Sequence, residues 1–353
     1  MNIYKNELWI NDLDVIIGRF PEIAKFENHN IFITGATGLI CSAVIDVLIR
    51  WNETHEKNIN IYAAGRNIKN ITNRFGLYCK CSYFHVVEYD STKNIIMPNK
   101  IDYIIHGASN ASPNIIIKEP VETLMSNIFG VKKLLDYVRD NKAKRLLLIS
   151  SSEVYGENKS SNPIRINNYG GIDVLNPRNA YSIGKCAAET LCASYYDEYG
   201  TDSVIVRPGH IYGPTAREGD MRVSSLWAYD VARGRDIIMK SDGQQIRSYC
   251  YCLDCASAIL KVLLDGKKGS AYNISNPDSI ISIRRLAEIM TLQTASNISY
   301  EIPSSDEKKG FNPMANSSLD SSELIEIGWE GLFDAITGVN HTVEIIKNII
   351  NNG

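Results

Sequence analysis

The chain has 353 residues, enough for two lobes and a large buried core, and 37 basic against 40 acidic side chains leave a net charge of −3. With 22% charged and 44% hydrophobic residues the balance is that of a soluble globular protein, and it lacks the basic field that a nucleic-acid partner requires. No apolar run reaches the roughly 18 residues that span a bilayer, and the opening MNIYKNELWIND lacks a signal peptide's basic start and apolar run, so a cytoplasmic protein with no membrane partner is expected.

In chain order, residues 1–28 read as a helical lead-in, with Leu8, Leu13, Val15, Ile16 and Phe20 set among polar residues. Short runs rich in Ile, Val and Tyr follow near 31–34, 59–64, 83–88, 101–106, 144–150 and 203–207, separated by helical stretches at 38–51, 119–140 and 180–199. Continuous apolar strands alternating with helices predict an α/β fold: a doubly wound Rossmann parallel sheet covered on both faces. Ligands of such a sheet sit beyond the carboxyl ends of its strands. After residue 208 turn signals multiply, which predicts a smaller C-terminal substrate-binding lobe over most of 208–353. Residues 29–207, with part of 249–268, form the dinucleotide-binding domain.

In a reducing compartment the eight cysteines are free thiols. Cys250, Cys252 and Cys255 invite a metal reading, but zinc motifs usually come as two separated pairs, so no metal is expected. The stretch RSYCYCLDC instead alternates like a strand, with Cys acting as a small hydrophobe.

Four elements carry chemistry. In IFITGATGLIC (31–41) a strand runs into Gly35 and Gly38 and then a helix, the arrangement that lets backbone N–H groups approach a pyrophosphate. Gly35, Thr37, Gly38, Leu39 and Ile40 are the candidate phosphate-side residues, and Cys41 stands where a third glycine is usual. At the end of the second strand, where NAD enzymes carry an acid for the ribose 2′-OH, Gly65 and Arg66 occur, which suits a 2′-phosphate and leaves the cofactor as NAD or NADP with a lean to NADP. The stretch LLLISSSEVYG (146–156) puts Ser151, Ser152 and Glu153 at the carboxyl end of a buried strand. Because strand side chains alternate, Glu153 is expected on the same side as Ser151. Finally, Tyr181 and Lys185 stand at i and i+4 of a helix, so phenol and ammonium share one face. The lysine charge and the positive nicotinamide ring favour the phenolate, and are expected to lower the phenol pKa from about 10.

Together these elements resemble the extended short-chain dehydrogenases/reductases of the NAD-dependent epimerase/dehydratase family, and most of all the UDP-glucuronate decarboxylases (UDP-xylose synthases). The resemblance rests on HGASNASP (106–113), KEPVETLMSNIFGVKKLLDY (118–137), SSSEVYG (150–156), NYGGIDVLNPRNAYSIGKCAAETLC (168–192), RVSS (222–225) and GQQIRSYCYCLD (243–254). It implies that Ser151 binds the sugar C4 oxygen, that Ser152 and Glu153 face C5 and C6, and that Tyr181 is the base with Lys185 its partner. It further implies that Asp90, Ala108 and Pro208 complete the cofactor-binding set. Asn110, Asn127 and His210 would line the substrate pocket, and Arg222 and Arg247 would reach the diphosphate or the sugar acid. The family also pairs its 119–140 and 180–199 helices across a two-fold axis. Leu134, Leu135, Val138, Leu191 and Tyr195 here exceed what one sheet face covers, so a homodimer is expected.

The implied reaction oxidises the sugar at C4, after which decarboxylation, epimerisation or dehydration follows. Dehydratases of this kind carry Asp-Glu where Ser152-Glu153 stands, and a serine is a far weaker acid, which disfavours dehydration. His210 replaces an Asn of the decarboxylases and bears on the sugar recognised. Two alternatives remain at this point: an NADP(H)-dependent reductase of a 4-keto-sugar nucleotide, and a non-catalytic dinucleotide sensor.

Overall fold

A computed structural model describes residues 3–93, 97, 99–109, 113–158, 160–292, 294–304 and 314–351. Among these, seven strands form one parallel sheet: β1 (Asn30–Thr34), β2 (Asn60–Gly65), β3 (Phe84–Glu88), β4 (Tyr103–His106), β5 (Arg145–Ile149), β6 (Ser203–Pro208) and β10 (Ala271–Ile274). Their order is β10-β6-β5-β4-β1-β2-β3. The chain winds outward in both directions from β1, so the topological switch point lies between β1 and β4. The seventh strand comes from 271–274, beyond the 249–268 that the sequence allots to the large domain, because four residues of AYNI are too short a run to stand out.

The strands are buried on both faces, and the two-residue period deals their side chains to opposite layers. Ile31 and Ile33 of β1 join a core built with α1 (Glu7–Arg19), α2 (Leu39–His55) and α8 (Cys252–Asp265). Phe32 between them joins a second core with α5 (Pro120–Asn141) and α6 (Ala180–Tyr199). The lead-in is therefore part of the main core. Asn6 caps α1 by accepting from Trp9 N at 3.1 Å. Trp9, Leu13, Ile16 and Ile17 then recur at helical spacing and are buried.

The remaining strands build the second lobe. β7 (His210–Tyr212), β9 (Ile246–Tyr251) and β11 (Ile280–Ser282) make a three-stranded sheet, and β8 (Ile237–Met239) pairs with β12 (Ile298–Tyr300). RSYCYCLDC is a strand only as far as Tyr251. Cys252 opens α8, so Cys252 and Cys255 are helical, and both are buried with Cys250. The apolar run across Tyr251, Cys252 and Leu253 hides the boundary, since it satisfies a strand and a buried helix equally. Among the described residues no three His, Cys, Asp or Glu side chains gather to hold a metal, and no helix is long and apolar enough to cross a membrane.

Candidate active site

At the carboxyl end of β1 the chain turns through Gly35, whose φ of 71° favours glycine. A Cβ there would lie 2.9 Å from the carbonyl of Gly107, at the carboxyl end of β4. Gly38 then caps α2 without a side-chain hydrogen bond, so the cap residue leaves the first N–H groups of the helix, at Leu39 and Ile40, unanswered. Such a helix end favours an anion. Cys41, at the third-glycine position, is buried with its Sγ only 2.4 Å from where a Cβ on Gly107 would stand. The close approach that a third glycine usually allows is thus supplied from the opposite side, by the glycine that follows β4. This uncapped cradle fits a dinucleotide pyrophosphate.

The other cofactor-side candidates lie at or just beyond the carboxyl ends of strands of the same sheet. Arg66 follows β2 and is exposed. Asp90, after β3, accepts from Thr92 N at 3.0 Å and Thr92 Oγ1 at 2.8 Å, and these bonds, with Lys93 and Arg66 nearby, hold its carboxyl below the usual range. Ala108 N donates to Thr34 Oγ1 at 3.1 Å, and Thr34 Oγ1 contacts His106 Nδ1 at 2.8 Å. Pro208 is buried at the end of β6. Asn110 lies outside the described residues.

The serine run closes β5, and the strand ends at Ile149. Residues 152–155 turn into a 3-10 helix rather than continuing extended, capped by Ser151, whose Oγ accepts from Glu153 N at 3.2 Å. Glu153 therefore does not reach its place by strand alternation. It sits one short turn beyond Ser151, exposed, within 3.4 Å of Ser182 Oγ. Short polar side chains that cap as readily as they extend leave this turn unreadable in sequence.

Helix α6 brings the second half of the set. The Ser151 side chain acts on the Tyr181 phenol and favours its ionised form, and Lys185, 2% exposed, donates from Nζ to Ile149 O at 2.8 Å. Nζ stands 5.8 Å from the centroid of the Tyr181 ring. In the chain alone burial dominates both groups: it pushes the phenol up to about 12, against the pull of Ser151, and the ammonium down to about 8. The expected lowering of the phenol below its ordinary value is thus absent in the chain by itself. α6 can approach α5 this closely because Gly184, between the two, leaves a Cβ only 3.2 Å from that of Asn127. Asn127 is buried, donating to Thr123 O at 2.7 Å and accepting from Ser109 Oγ at 3.0 Å.

The remaining candidates, His210, Arg247 and Arg222, come from beyond β6. His210 opens β7 and pairs in register with Tyr249 of β9. Arg247, two residues earlier on β9, is 3% exposed and donates to Ile246 O at 2.8 Å and Met314 O at 3.0 Å. Arg222, exposed at the N-terminus of α7 (Val223–Ala232), is paired with Asp220. The charges of Glu153 and Arg222 both act on the Tyr181 phenol, and that of Glu153 also acts on Arg247, so these groups lie within reach of one another's charge. One contact escapes sequence reading: Arg217 donates to Thr37 O at 3.1 Å and to Thr37 Oγ1, tying the second lobe to the glycine turn. An arginine in a turn-rich stretch carries no signal of such reach.

A sheet doubly wound about a glycine turn, with the tyrosine–lysine helix beside it, defines the extended short-chain dehydrogenase/reductase class of enzymes. Residues 31–275 match the NAD dependent epimerase/dehydratase family, and the chain belongs to it. UDP-glucuronic acid decarboxylase 1 of Xenopus tropicalis is 26% identical over 328 residues, 92% of this chain and 74% of that protein. UDP-glucuronic acid decarboxylase 6 of Arabidopsis thaliana is 30% identical over 261 residues, 74% of this chain and 73% of the relative. UDP-glucuronic acid 4-epimerase from Bacillus cereus, solved with UDP-glucuronic acid and NAD, superposes with a TM-score of 0.73 at 20% identity, covering 91% of this chain and 99% of that one. The UDP-glucose 4-epimerase of Thermotoga maritima superposes at 0.77 with 22% identity, over 91% and 99%. At such identities the two structures establish the fold alone.

Proposed function

We propose that the chain oxidises a nucleotide-linked sugar acid at C4 and releases a decarboxylated or epimerised product. The observation that carries this is the buried Lys185 ammonium, held on the last carbonyl of β5 and 5.8 Å from the Tyr181 ring centroid, with Ser151 acting on that phenol. A nicotinamide dinucleotide, when bound in the Gly35–Ile40 cradle, supplies a carbon that accepts hydride and can return it. Ser151 holds the sugar C4 oxygen, and Tyr181 takes its proton as the alcohol becomes a ketone. Lys185 stabilises by charge the phenolate that must be present before the proton is taken, offsetting the burial that otherwise raises the phenol.

The fate of the ketone falls to Ser152, Glu153 and Arg247. Loss of water from C6 needs a strong acid at the leaving hydroxyl, and Ser152 is a poor one. A C6 carboxylate, in contrast, becomes a β-keto acid once C4 is oxidised and leaves readily as CO₂. The decarboxylases similar to this chain favour that branch, and the fold alone does not separate it from epimerisation. The test is product mass spectrometry after incubation with UDP-glucuronate, UDP-glucose and their 4-epimers, with the co-purifying dinucleotide identified. Conversion of the uronate to a pentose or to its 4-epimer, without net cofactor use, is expected. Net consumption of NADPH on a 4-keto sugar would instead favour the reductase, a reading that Arg66 supports.

A further inference from the structure

The second lobe reaches the glycine turn at two points. Thr215 Oγ1 donates to Leu39 O at 2.9 Å, a buried contact. Two residues on, Arg217 donates from Nε to Thr37 O at 3.1 Å and from Nη2 to Thr37 Oγ1. Between them Ala216 O accepts from Tyr229 OH of α7 at 2.9 Å, also buried. Residues 215–217 therefore form a strap, pinned on one side to the second lobe and on the other to the turn between β1 and α2.

The strap carries a charge that its neighbours do not neutralise. Glu218 pairs with Arg233 and Asp220 with Arg222, so the acids that follow Arg217 are engaged elsewhere. Among the described residues no carboxylate pairs with Arg217: its guanidinium is exposed and rests on the neutral carbonyl and hydroxyl of Thr37. Thr37 stands one residue before Gly38, the cap of α2, in the turn that fits a pyrophosphate. A helix N-terminus offers only about half an elementary charge, whereas each phosphate of a dinucleotide bridge carries a full one. An arginine fork matches phosphate geometry and stays charged at any working pH. The move it needs is small, since an exposed, unbranched side chain exchanges a neutral acceptor for a charged one at the same turn.

We propose that Arg217 pairs with the pyrophosphate of the bound dinucleotide and that the 215–217 strap keeps the cofactor in place between turnovers. This rests on the functional reading above, in which one dinucleotide takes hydride and returns it, and adds what stops that dinucleotide from leaving. The ribose 2′ position lies instead at the end of β2, on the side of Arg66.

The experiment follows exchange of bound NAD for fluorescent etheno-NAD in the whole chain, with equilibrium affinities for NAD, NADP and ADP-ribose. ADP-ribose keeps the pyrophosphate and lacks the nicotinamide. Arg217→Gln keeps a donor for Thr37 O and loses the charge, whereas Arg217→Lys keeps the charge. In Arg217→Gln exchange should quicken, and all three ligands weaken, by about ten- to a hundredfold, the size of a hydrogen bond to a charged group. Arg217→Lys should recover much of that loss. Added salt should quicken exchange more steeply in the natural protein than in Arg217→Gln. Unchanged exchange in Arg217→Gln, or equal losses in both variants with parallel salt dependence, overturns the proposal alone and leaves Arg217 as a brace on Thr37. A loss confined to NADP also overturns it, by assigning the charge to the 2′-phosphate. A natural protein that binds none of the three ligands overturns the functional reading with it.

Discussion

Tyr181 and Lys185 stand four residues apart on one helix yet meet very different surroundings. The lysine is anchored on Ile149 O, the last carbonyl of β5, while the phenol opens toward Ser151. Tyr181→Phe removes the proton acceptor and should lower turnover by on the order of 10² or more, with ligand binding retained; steady-state kinetics check it. Arg66, beyond β2 and near Asp90, carries the proposed NADP reading. Arg66→Ala should weaken NADP by about tenfold or more and NAD far less, as read by fluorescence titration. Equal effects on both would assign the arginine to the loop surface. A Cβ on Gly107 would meet Cys41 Sγ at 2.4 Å and Ile149 Cδ1 at 3.2 Å. Gly107→Ala should therefore cost about 1–3 kcal/mol through overpacking, and adding Cys41→Gly should restore much of it. Thermal melting of the single and double variants measures this coupling.

At the scale of elements, what was legible followed from length and from chemistry that points one way. Runs such as IFIT and RLLLI read as buried strands because they are too short for helices and alternate with longer helical stretches. The glycine turn was legible because it sits between a strand and a helix. The 3-10 turn at Ser152–Tyr155, the helix start at Cys252 and the strand Ala271–Ile274 were not, since each depends on tertiary partners rather than local pattern. The same holds for Asp12, a buried acid of α1 that accepts from Tyr251 OH at 2.9 Å and contacts His341 Nδ1 at 3.0 Å, joining the first helix, β9 and the C-terminal helix Ala335–Asn351. The hydrogen bond to Asp12 is the main cause that raises the pKa of His341 above its usual 6.5. A raised folded value stabilises the fold fully below about pH 6.5, and that contribution disappears as pH rises through the folded value. The melting temperature should fall over this range in the natural protein, and the slope should flatten in His341→Gln. An unchanged slope would remove His341 from the account.

For the whole molecule, assembly needs a different argument from the one the sequence suggests. Leu134, Leu135, Val138 and Tyr195 are all buried within the chain itself, so they offer nothing to a partner. The apolar groups that α5 and α6 do leave exposed are Val121, Phe129, Tyr196 and Tyr199. We propose that this pair of helices meets its symmetry mate, and that sedimentation at micromolar concentration will find a dimer that Phe129→Glu dissociates. A monomeric natural protein would contradict it.

On the proposed reading, oxidation belongs to Ser151 and Tyr181 beside the large sheet, and Arg247 on the small one would steady the sugar acid. The most direct test of that division follows reduced nicotinamide absorbance in a single turnover of UDP-glucuronate, unlabelled or deuterated at C4. The account predicts transient cofactor reduction, slowed by the deuterium and lost in Tyr181→Phe. In Glu153→Gln the reduction should persist while product appears more slowly. If product forms with no cofactor reduction and no isotope effect at C4, oxidation at that carbon is not the chemistry of this enzyme.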